Sequence, residues 1–167
     1  MSYKEHKKHS ALNVQCSVLT VSDTRTKEND ESGKLILKLL NDFSHTVSSY
    51  EVVTDDPLQI KKILIDQGKN NSIQAVIING GTGISKRDVT FEAVNALLEK
   101  KLDGFGEIFR FISYQEIGSP AMMSRAVAGV FQGKAIFSIP GSVEAVRLAM
   151  ENLILPELGH FIALLNK

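Results

Sequence analysis

The stretch from Val76 to Val94, VIINGGTGISKRDVTFEAV, has the residue types that bind anions and metal ions. Gly80, Gly81 and Gly83 follow an apolar run, and Asp88 lies just before an amphipathic segment. Because glycine has no Cβ and accepts positive φ, a ligand can come close to such a loop, and backbone amides can point at phosphate oxygens. The loop predicts an anion site. The alternative is a tight strand-to-helix turn with no ligand.

The common phosphate-binding motifs do not fit this loop. A Walker A loop needs glycine directly before a Lys-Ser/Thr pair, whereas Lys86 follows Ser85 and precedes Arg87. A dinucleotide fingerprint that begins at Gly81 would need glycine at position 86. Neither class of nucleotide-binding protein is indicated.

Acidic residues close to this loop suggest a divalent cation. A carboxylate beside bound phosphate is repelled unless a cation lies between them, and Mg²⁺ is often held by one or two carboxylates plus substrate phosphates. Thr90 can cap the following helix, which leaves Asp88 free. Asp55 and Asp56 precede Pro57, so that one can cap a helix while the other binds metal.

Strand patterns alternate with helix patterns and predict an α/β fold, a mostly parallel sheet covered by helices on both faces. Strands are expected at VQCSVLTVS, TVSSYEVV, QAVIIN and KAIFSI. Helices are expected at ESGKLILKLLNDF, PLQIKKILIDQG, FEAVNALLEK, the first half of GFGEIFRFISYQEIG, AMMSRAVAGVF, SVEAVRLAMENLI and, after a break at Pro156, ELGHFIALL. The apolar residues Leu35, Ile36, Leu39, Leu40 and Phe43 share one helix face, and the phenylalanines at 105, 109 and 111 are expected in the core.

The predicted topology narrows the search for chemistry to four segments. In parallel sheets, ligands bind at the carboxyl ends of the strands. The segments that follow the predicted strands are residues 22–25, 54–56, 79–88 and 140–142. Ser142 can cap the helix that starts at Val143, which adds a helix N-terminus that favours an anion.

Composition limits the function classes. The chain has 167 residues, 43% of them hydrophobic, and 19 basic residues balance 19 acidic ones, which argues against a broad nucleic-acid-binding face. The single cysteine, Cys16, excludes an internal disulfide and fits a buried apolar position. No signal-peptide segment or apolar run of membrane-spanning length is recognised, so we expect a soluble cytoplasmic protein without a membrane partner. Residues 1–12, with His6 and His9, are expected to form a flexible polar tail, and residues 13–167 a single domain.

Several motifs together resemble the MoaB/MogA family of molybdenum-cofactor biosynthesis proteins. They are TVSDTR, NDESGKLI, GGTGISKRDVTFEAV, GFGEIFR, IGSPAMMSRAVAG and IPGSVEAVRLAMENLILPEL. The similarity runs from about Asn13 to Leu158 and is closer to the B-type branch. It implies a three-layer α/β/α sandwich of the molybdopterin-binding-domain type, assembled as a homo-trimer or homo-hexamer. It also implies Mg²⁺-dependent adenylylation of molybdopterin by ATP, with release of pyrophosphate.

The resemblance also assigns roles to individual residues. Asp88 and Asp55 match the catalytic and metal-binding carboxylates, with Asp56 the near-equal alternative to Asp55. The positions that match the substrate-binding crevice are Ser22, Asp23, Gly80, Gly81, Thr82, Gly83, Ser119, Arg125, Pro140, Gly141 and Ser142. Some B-type members are thought to lack transferase activity, so a non-catalytic molybdopterin-binding or carrier protein is the alternative, followed by an unrelated nucleotide-binding α/β protein. The intact Asp-Val-Thr motif favours an enzyme.

Overall fold

The computed structural model describes residues 13–167, so the predicted tail at residues 1–12, with His6 and His9, lies outside the described residues. The strands are β1 (Gln15–Val21), β2 (Thr46–Val53), β3 (Ala75–Asn79), β4 (Lys100–Lys101), β5 (Val127–Phe131) and β6 (Lys134–Ile139). The helices are α1 (Glu31–Asp42), α2 (Pro57–Lys69), α3 (Thr90–Asn95), α4 (Asp103–Ile117), α5 (Val143–Ala149) and α6 (Leu155–Leu165). A 3₁₀ turn, Ser119–Met123, follows α4, and a π-helical segment, Met150–Ile154, joins α5 to α6.

The strands form one six-stranded mixed sheet in the order β2-β1-β3-β6-β5-β4. Strands β2, β1, β3 and β6 are parallel, and β5 lies antiparallel between β6 and β4. Each inner strand is buried on both faces, as expected for a sheet covered by helices. The predicted α/β fold with a mostly parallel sheet is confirmed.

Two hydrophobic clusters, one on each face of the sheet, define the three layers. Val18 and Ile77 point to one face, where they join side chains of α1, α4, α5 and α6. Their neighbours Leu19 and Ile78 point to the other face, where they join side chains of α2 and α3. This split follows from the two-residue period of a strand, which sends successive side chains to opposite faces.

The apolar stripe of α1 was predicted almost completely. Ile36, Leu39 and Leu40 are buried and Leu35 packs against them, but Phe43 is half-exposed at the end of the helix. Cys16 is buried, as expected.

The predicted helix AMMSRAVAGVF is wrong, because this segment is the 3₁₀ turn followed by β5. Gly118, at φ 70°, ends α4, which extends through the whole of its segment to Ile117 rather than over the first half only. Strand β5 then forms a hairpin with β6 through Gln132 and Gly133, which both have positive φ. Two such residues make the tight turn that matches strand twist, so the Gln-Gly pair was the missed signal.

The predicted core phenylalanines divide into three environments along α4. Phe109 is buried, and Phe105 packs edge-on against Phe137 with ring centroids 5.6 Å apart. Phe111 is 64% exposed, so its assignment to the core is wrong.

The predicted helix FEAVNALLEK is shorter than expected and ends at Asn95.

Pro156 does not break the last helix, contrary to the prediction. The Leu155 amide donates to the Met150 carbonyl and so closes the π-helical segment just before the proline. Pro156 itself occupies the first turn of α6. A wider turn makes room for a residue that lacks an N–H and crowds the preceding turn.

The helical stretch is therefore continuous over residues 143–165 and is long and apolar enough, by length and composition, to cross a membrane. This finding corrects the expectation that no such run exists. Val146, Ile154 and Leu158 nevertheless fill the core against the sheet. One face of this stretch therefore belongs to the core of the domain.

Candidate functional site

The four segments singled out from sequence meet in one pocket of about 440 Å³ at the carboxyl ends of β1, β2, β3 and β6. The 3₁₀ turn closes one side through Pro120 and Met123; from this turn the sequence analysis had assigned only Ser119 to the crevice, and the residues from Ala121 onward were predicted as helix. The pocket is lined by Val21, Ser22, Thr24, Arg25, Asp55, Gly80, Gly81, Thr82, Gly83, Asp88, Pro120, Met123, Ser124, Pro140 and Gly141.

The glycine loop is packed tightly against the protein itself. Gly80 and Gly81 have φ of 98° and 62°, values that residues with a Cβ rarely adopt. A Cβ on Gly80 would lie 2.1 Å from the Val21 carbonyl oxygen. A Cβ on Gly81 would lie 2.1 Å from Thr90 Oγ1 and 2.4 Å from Asp55 Oδ1. Gly80 thus makes room for the backbone of β1, and Gly81 makes room for the polar side chains of Thr90 and Asp55.

The same loop leaves backbone donors for a ligand. The Gly80 amide donates to the Ile139 carbonyl at 3.0 Å, which fixes the start of the loop. Between residues 13 and 167, no acceptor takes the amide protons of Gly81 and Thr82. Unpartnered amides in a glycine loop are suited to phosphate oxygens.

The structure separates the roles of Asp55 and Asp56, which the sequence left open. Asp56 caps α2, since its carboxylate accepts from the Leu58 amide at 2.9 Å. Asp55 Oδ1 is buried in the pocket wall and has no hydrogen-bond partner among the described residues. Burial raises the pKa of the Asp55 carboxyl, and repulsion from Asp23 and Asp88 adds to the increase. An added cation would relieve both effects.

Asp88 lies across the loop and is held in its ionised form. Its Oδ2 accepts from the amide and the hydroxyl of Ser85 at 3.0 and 2.5 Å. The hydroxyl bond is the main reason that the pKa of Asp88 lies below its usual value. The absence of Cβ on Gly83 gives this carboxylate its space, since a Cβ there would lie 2.7 Å from Asp88 Oδ2.

Thr90 does not cap α3, contrary to the sequence prediction. It is the first residue of the helix, and its buried Oγ1 has no partner among the described residues. Its amide donates to the Gly81 carbonyl at 3.0 Å. Thr90 therefore packs against the glycine loop. Asp88 does not cap α3 either, because its carboxylate accepts hydrogen bonds from Ser85 instead.

Asp23 and Ser22 support the pocket in different ways. Ser22 lines it and accepts from the Arg25 amide at 3.2 Å. Asp23 is outside the lining; it accepts from Arg87 Nε at 3.0 Å and from the Asp55 amide at 3.1 Å. The bond to Arg87 is the main reason that the pKa of Asp23 is lowered. Asp23 thus fixes the backbone of Asp55.

Arg125 braces the outer side of the glycine loop. Its guanidinium donates to the Thr82 carbonyl at 3.0 Å, also contacts Gly83 and Glu92, and lies 5.0 Å from the centroid of the Phe91 ring. It does not line the pocket. Its assignment to substrate binding stays a prediction.

The remaining predicted residues divide between lining and support. Pro140 and Gly141 line the pocket, whereas Ser119 and Ser142 do not. The Ser142 hydroxyl caps α5 by accepting from the Ala145 amide at 3.2 Å, as predicted.

Arg25 is the functional candidate that sequence reasoning missed. It follows β1 within the segment SDTR and lines the pocket. Its Nη1 donates to Ser32 Oγ at 2.8 Å and lies 3.7 Å from Asp30 Oδ1. Its position directly after a central strand was the available signal.

The donor set fits a divalent cation that also binds substrate. Over the described part of the chain, no group of three or more His, Cys, Asp or Glu side chains could hold a metal by itself. Asp55 and Asp88 supply carboxylates to one pocket, and Asp55 Oδ1 is buried without a partner. Mg²⁺ commonly takes one or two carboxylates and completes its coordination with phosphate oxygens and water.

Comparison with known proteins identifies the family. The family profile described as a probable molybdopterin binding domain matches residues 17–160. A molybdenum cofactor biosynthesis protein B from Bacillus anthracis is 55% identical over 161 residues, which cover 96% of this chain and 95% of the relative. The chain belongs to the MoaB/MogA family.

Solved MoaB structures share the fold. A crystal structure of a molybdenum cofactor biosynthesis protein B aligns with a TM-score of 0.90 at 54% identity, covering 92% of this chain and 96% of that one. The tungsten cofactor synthesizing protein MoaB from Pyrococcus furiosus aligns with a TM-score of 0.86 at 35% identity, covering 95% and 100%. The family and fold class predicted from the motifs are confirmed.

Proposed function

We propose that this MoaB/MogA chain acts in molybdenum cofactor biosynthesis as a molybdopterin adenylyltransferase. The observation that carries the proposal is one pocket that combines unpartnered amides at Gly81 and Thr82 with two carboxylates, Asp55 and Asp88, and a cation, Arg25. That combination suits two phosphate-bearing substrates and a bridging divalent ion.

The proposed reaction joins two phosphates. An oxygen of the molybdopterin phosphate attacks the α-phosphorus of ATP and forms a new P–O bond. The bond from the α-phosphorus to the oxygen bridging to the β-phosphate breaks, and pyrophosphate leaves with that electron pair. The attacking oxygen is already anionic, so the pocket needs no nucleophile or general base of its own.

The contribution of the protein is positioning and charge stabilisation, as in other phosphoryl transfers. The Gly81 and Thr82 amides bind phosphate oxygens, and Asp55 and Asp88 are the residues that would hold Mg²⁺. When bound, Mg²⁺ neutralises negative charge on the phosphate oxygens. Asp23 keeps the backbone of Asp55 in place through the Asp55 amide.

A homo-trimer or homo-hexamer belongs to the same proposal. The outer face of α4 exposes Ile108, Phe111, Tyr114 and Ile117, each at least half accessible, and Met122 in the following turn is 79% accessible. Contiguous apolar surface of this kind marks protein contacts. A cytoplasmic location also belongs to it, because the cytoplasm supplies ATP.

The experiment measures pyrophosphate released from Mg-ATP by the purified protein, with and without molybdopterin. Wild-type protein should release pyrophosphate only when molybdopterin is present. Asp55→Asn should abolish this release, whereas the matched control Asp56→Asn should keep it, because asparagine caps a helix as well as aspartate does. Pterin binding without pyrophosphate release by the wild type would instead identify a carrier protein.

A further inference from the structure

Arg25 has donors that the protein itself does not use. A guanidinium has five N–H groups, and in Arg25 only Nη1 has an acceptor, Ser32 Oγ, among the described residues. Its side chain is 30% accessible and forms part of the pocket wall. Within the part of the chain that the structure describes, it is the one cationic residue that lines this pocket. The nearby Arg87 and Arg125 pair with Asp23 and Glu92 instead.

A buried carboxylate fixes the position of the Arg25 side chain. Asp30 is fully buried and caps α1 by accepting from the Gly33 amide at 3.0 Å. The same Oδ1 lies 3.7 Å from Arg25 Nη1, within ion-pair range but beyond a hydrogen bond. Asp30 therefore attracts the guanidinium and leaves its free donors for another anion.

Tyr50 of β2 fixes Asp30 from the other side. Its hydroxyl donates to Asp30 Oδ2 at 2.7 Å. Burial and this hydrogen bond raise the pKa of Tyr50, so the phenol stays a donor at neutral pH. Tyr50 does not line the pocket, so any influence on a ligand must pass through other residues.

Ser32 connects Arg25 to the loop that follows β6. Its hydroxyl donates to the Gly141 carbonyl at 2.6 Å while it accepts from Arg25. A Cβ on Gly141 would lie 3.0 Å from the Gly80 Cα and 3.4 Å from Arg25 Nη1. The segments after β1, β3 and β6 thus converge on this guanidinium.

We propose that Arg25 binds a phosphate group in this pocket and that Tyr50 is a positioning residue that acts on it through Asp30. The inference deepens the proposed function, on which the identity of the ligand rests. Both ATP and molybdopterin carry phosphate, so the shared chemistry is a phosphate monoester or polyphosphate. Titrations with each ligand alone assign the group to one of them.

The test is isothermal titration calorimetry of the whole chain with Mg-ATP and, separately, with molybdopterin. Arg25→Met should lose about tenfold or more in affinity for at least one ligand, since hydrogen bonds to charged groups are the stronger kind. Arg25→Lys should recover part of this loss, because it restores the charge but not the fork of donors. The control Arg147→Met, in an exposed pair with Glu151, should bind both ligands like the wild type. Unchanged affinity of Arg25→Met for both ligands would overturn the proposal.

A double-mutant cycle tests the role of Tyr50. Tyr50→Phe should weaken binding several-fold in the wild-type background and have no further effect in the Arg25→Met background, because the two changes act on the same contact. An equal loss in both backgrounds would show that Tyr50 acts elsewhere and would refute its positioning role. Circular dichroism of each variant checks the fold. If Arg25→Met does not fold, Arg25→Lys replaces it as the second background of the cycle.

Failure of this inference can be told apart from failure of the proposed function. If the wild type binds phosphate ligands through Arg25 but releases no pyrophosphate, the transferase proposal fails and the assignment of Arg25 stands. If the wild type releases pyrophosphate but Arg25→Met keeps both affinities, only the assignment of Arg25 fails. Binding of neither ligand by the wild type would overturn both.

Discussion

Gly81→Ala should destabilise the protein through the contacts of its new methyl group. Gly81 has φ 62°, and a Cβ there would lie 2.1 Å from Thr90 Oγ1 and 2.4 Å from Asp55 Oδ1. The left-handed conformation costs about 1–2 kcal/mol for a residue with a Cβ. Forcing a methyl group into packed surroundings costs about 1–3 kcal/mol more. Together they predict a loss of roughly 2–5 kcal/mol, or about 4–20 °C in Tm for a chain of this size.

The measurement is equilibrium unfolding in urea, followed by circular dichroism. Gly104→Ala is the matched control, because Gly104 lies in the first turn of α4, has no positive φ and has no neighbouring atom within 4 Å of its added Cβ. That control should be neutral or more stable by up to about 1 kcal/mol, owing to helix propensity. Equal stability of Gly81→Ala and Gly104→Ala would refute the argument that Gly81 makes room for Asp55 and Thr90.

Three further predictions concern ionisable groups. Asp88→Asn should keep the fold and lose most of the pyrophosphate release, because it removes a proposed metal ligand at nearly constant volume; near-normal release would contradict the metal role. Asp55→Asn should raise the Tm of the ligand-free protein near neutral pH, because the folded-state pKa of Asp55 is raised, so its ionised form opposes folding. This gain should vanish as the pH falls below about 4, where the carboxyl is protonated in both states; a constant difference in Tm over the pH series would argue against it. Cys16, whose pKa burial raises to about 12, should react with iodoacetamide only after unfolding, and fast labelling of the native protein would contradict its burial.

The sequence predicted the four parallel strands well because their signals were local. Strand β2 was predicted with its observed bounds, and the pocket segments followed from the rule that ligands bind beyond the carboxyl ends of parallel strands. The hairpin between β5 and β6 was missed because AMMSRAVAGVF has apolar residues at helical spacing. Pairing with β6 overrode that local preference.

Pro156 shows a second limit of local reasoning. Proline inside a helical pattern usually predicts a break, but here a π-helical segment absorbs it. Core packing on both sides, through Met150 and Leu158, keeps the two helices in line. Such compensation depends on tertiary contacts and cannot be read from the proline alone.

The candidate site was predicted by segment better than by side chain. The sequence does not show which of Asp55 and Asp56 caps the helix and which faces the pocket. The structure separates them, because Asp56 accepts from the Leu58 amide and Asp55 Oδ1 is buried without a partner among the described residues. From the sequence, Arg125 was assigned to the substrate crevice and Arg25 was given no role. In the structure Arg125 bonds to carbonyls of the glycine loop and does not line the pocket, whereas Arg25 lines it because contacts with Asp30 and Ser32 fix its direction.

The binding of a divalent cation by Asp55 and Asp88 is tested most directly by anomalous diffraction from crystals soaked with Mn²⁺ and a non-hydrolysable ATP analogue. We expect one manganese peak bound by Asp55 and Asp88, with carboxylate and phosphate oxygens in its coordination sphere. We also expect phosphate oxygens within hydrogen-bonding distance of the Gly81 and Thr82 amides. A metal bound away from both carboxylates, or phosphates bound outside the glycine loop, would contradict these expectations.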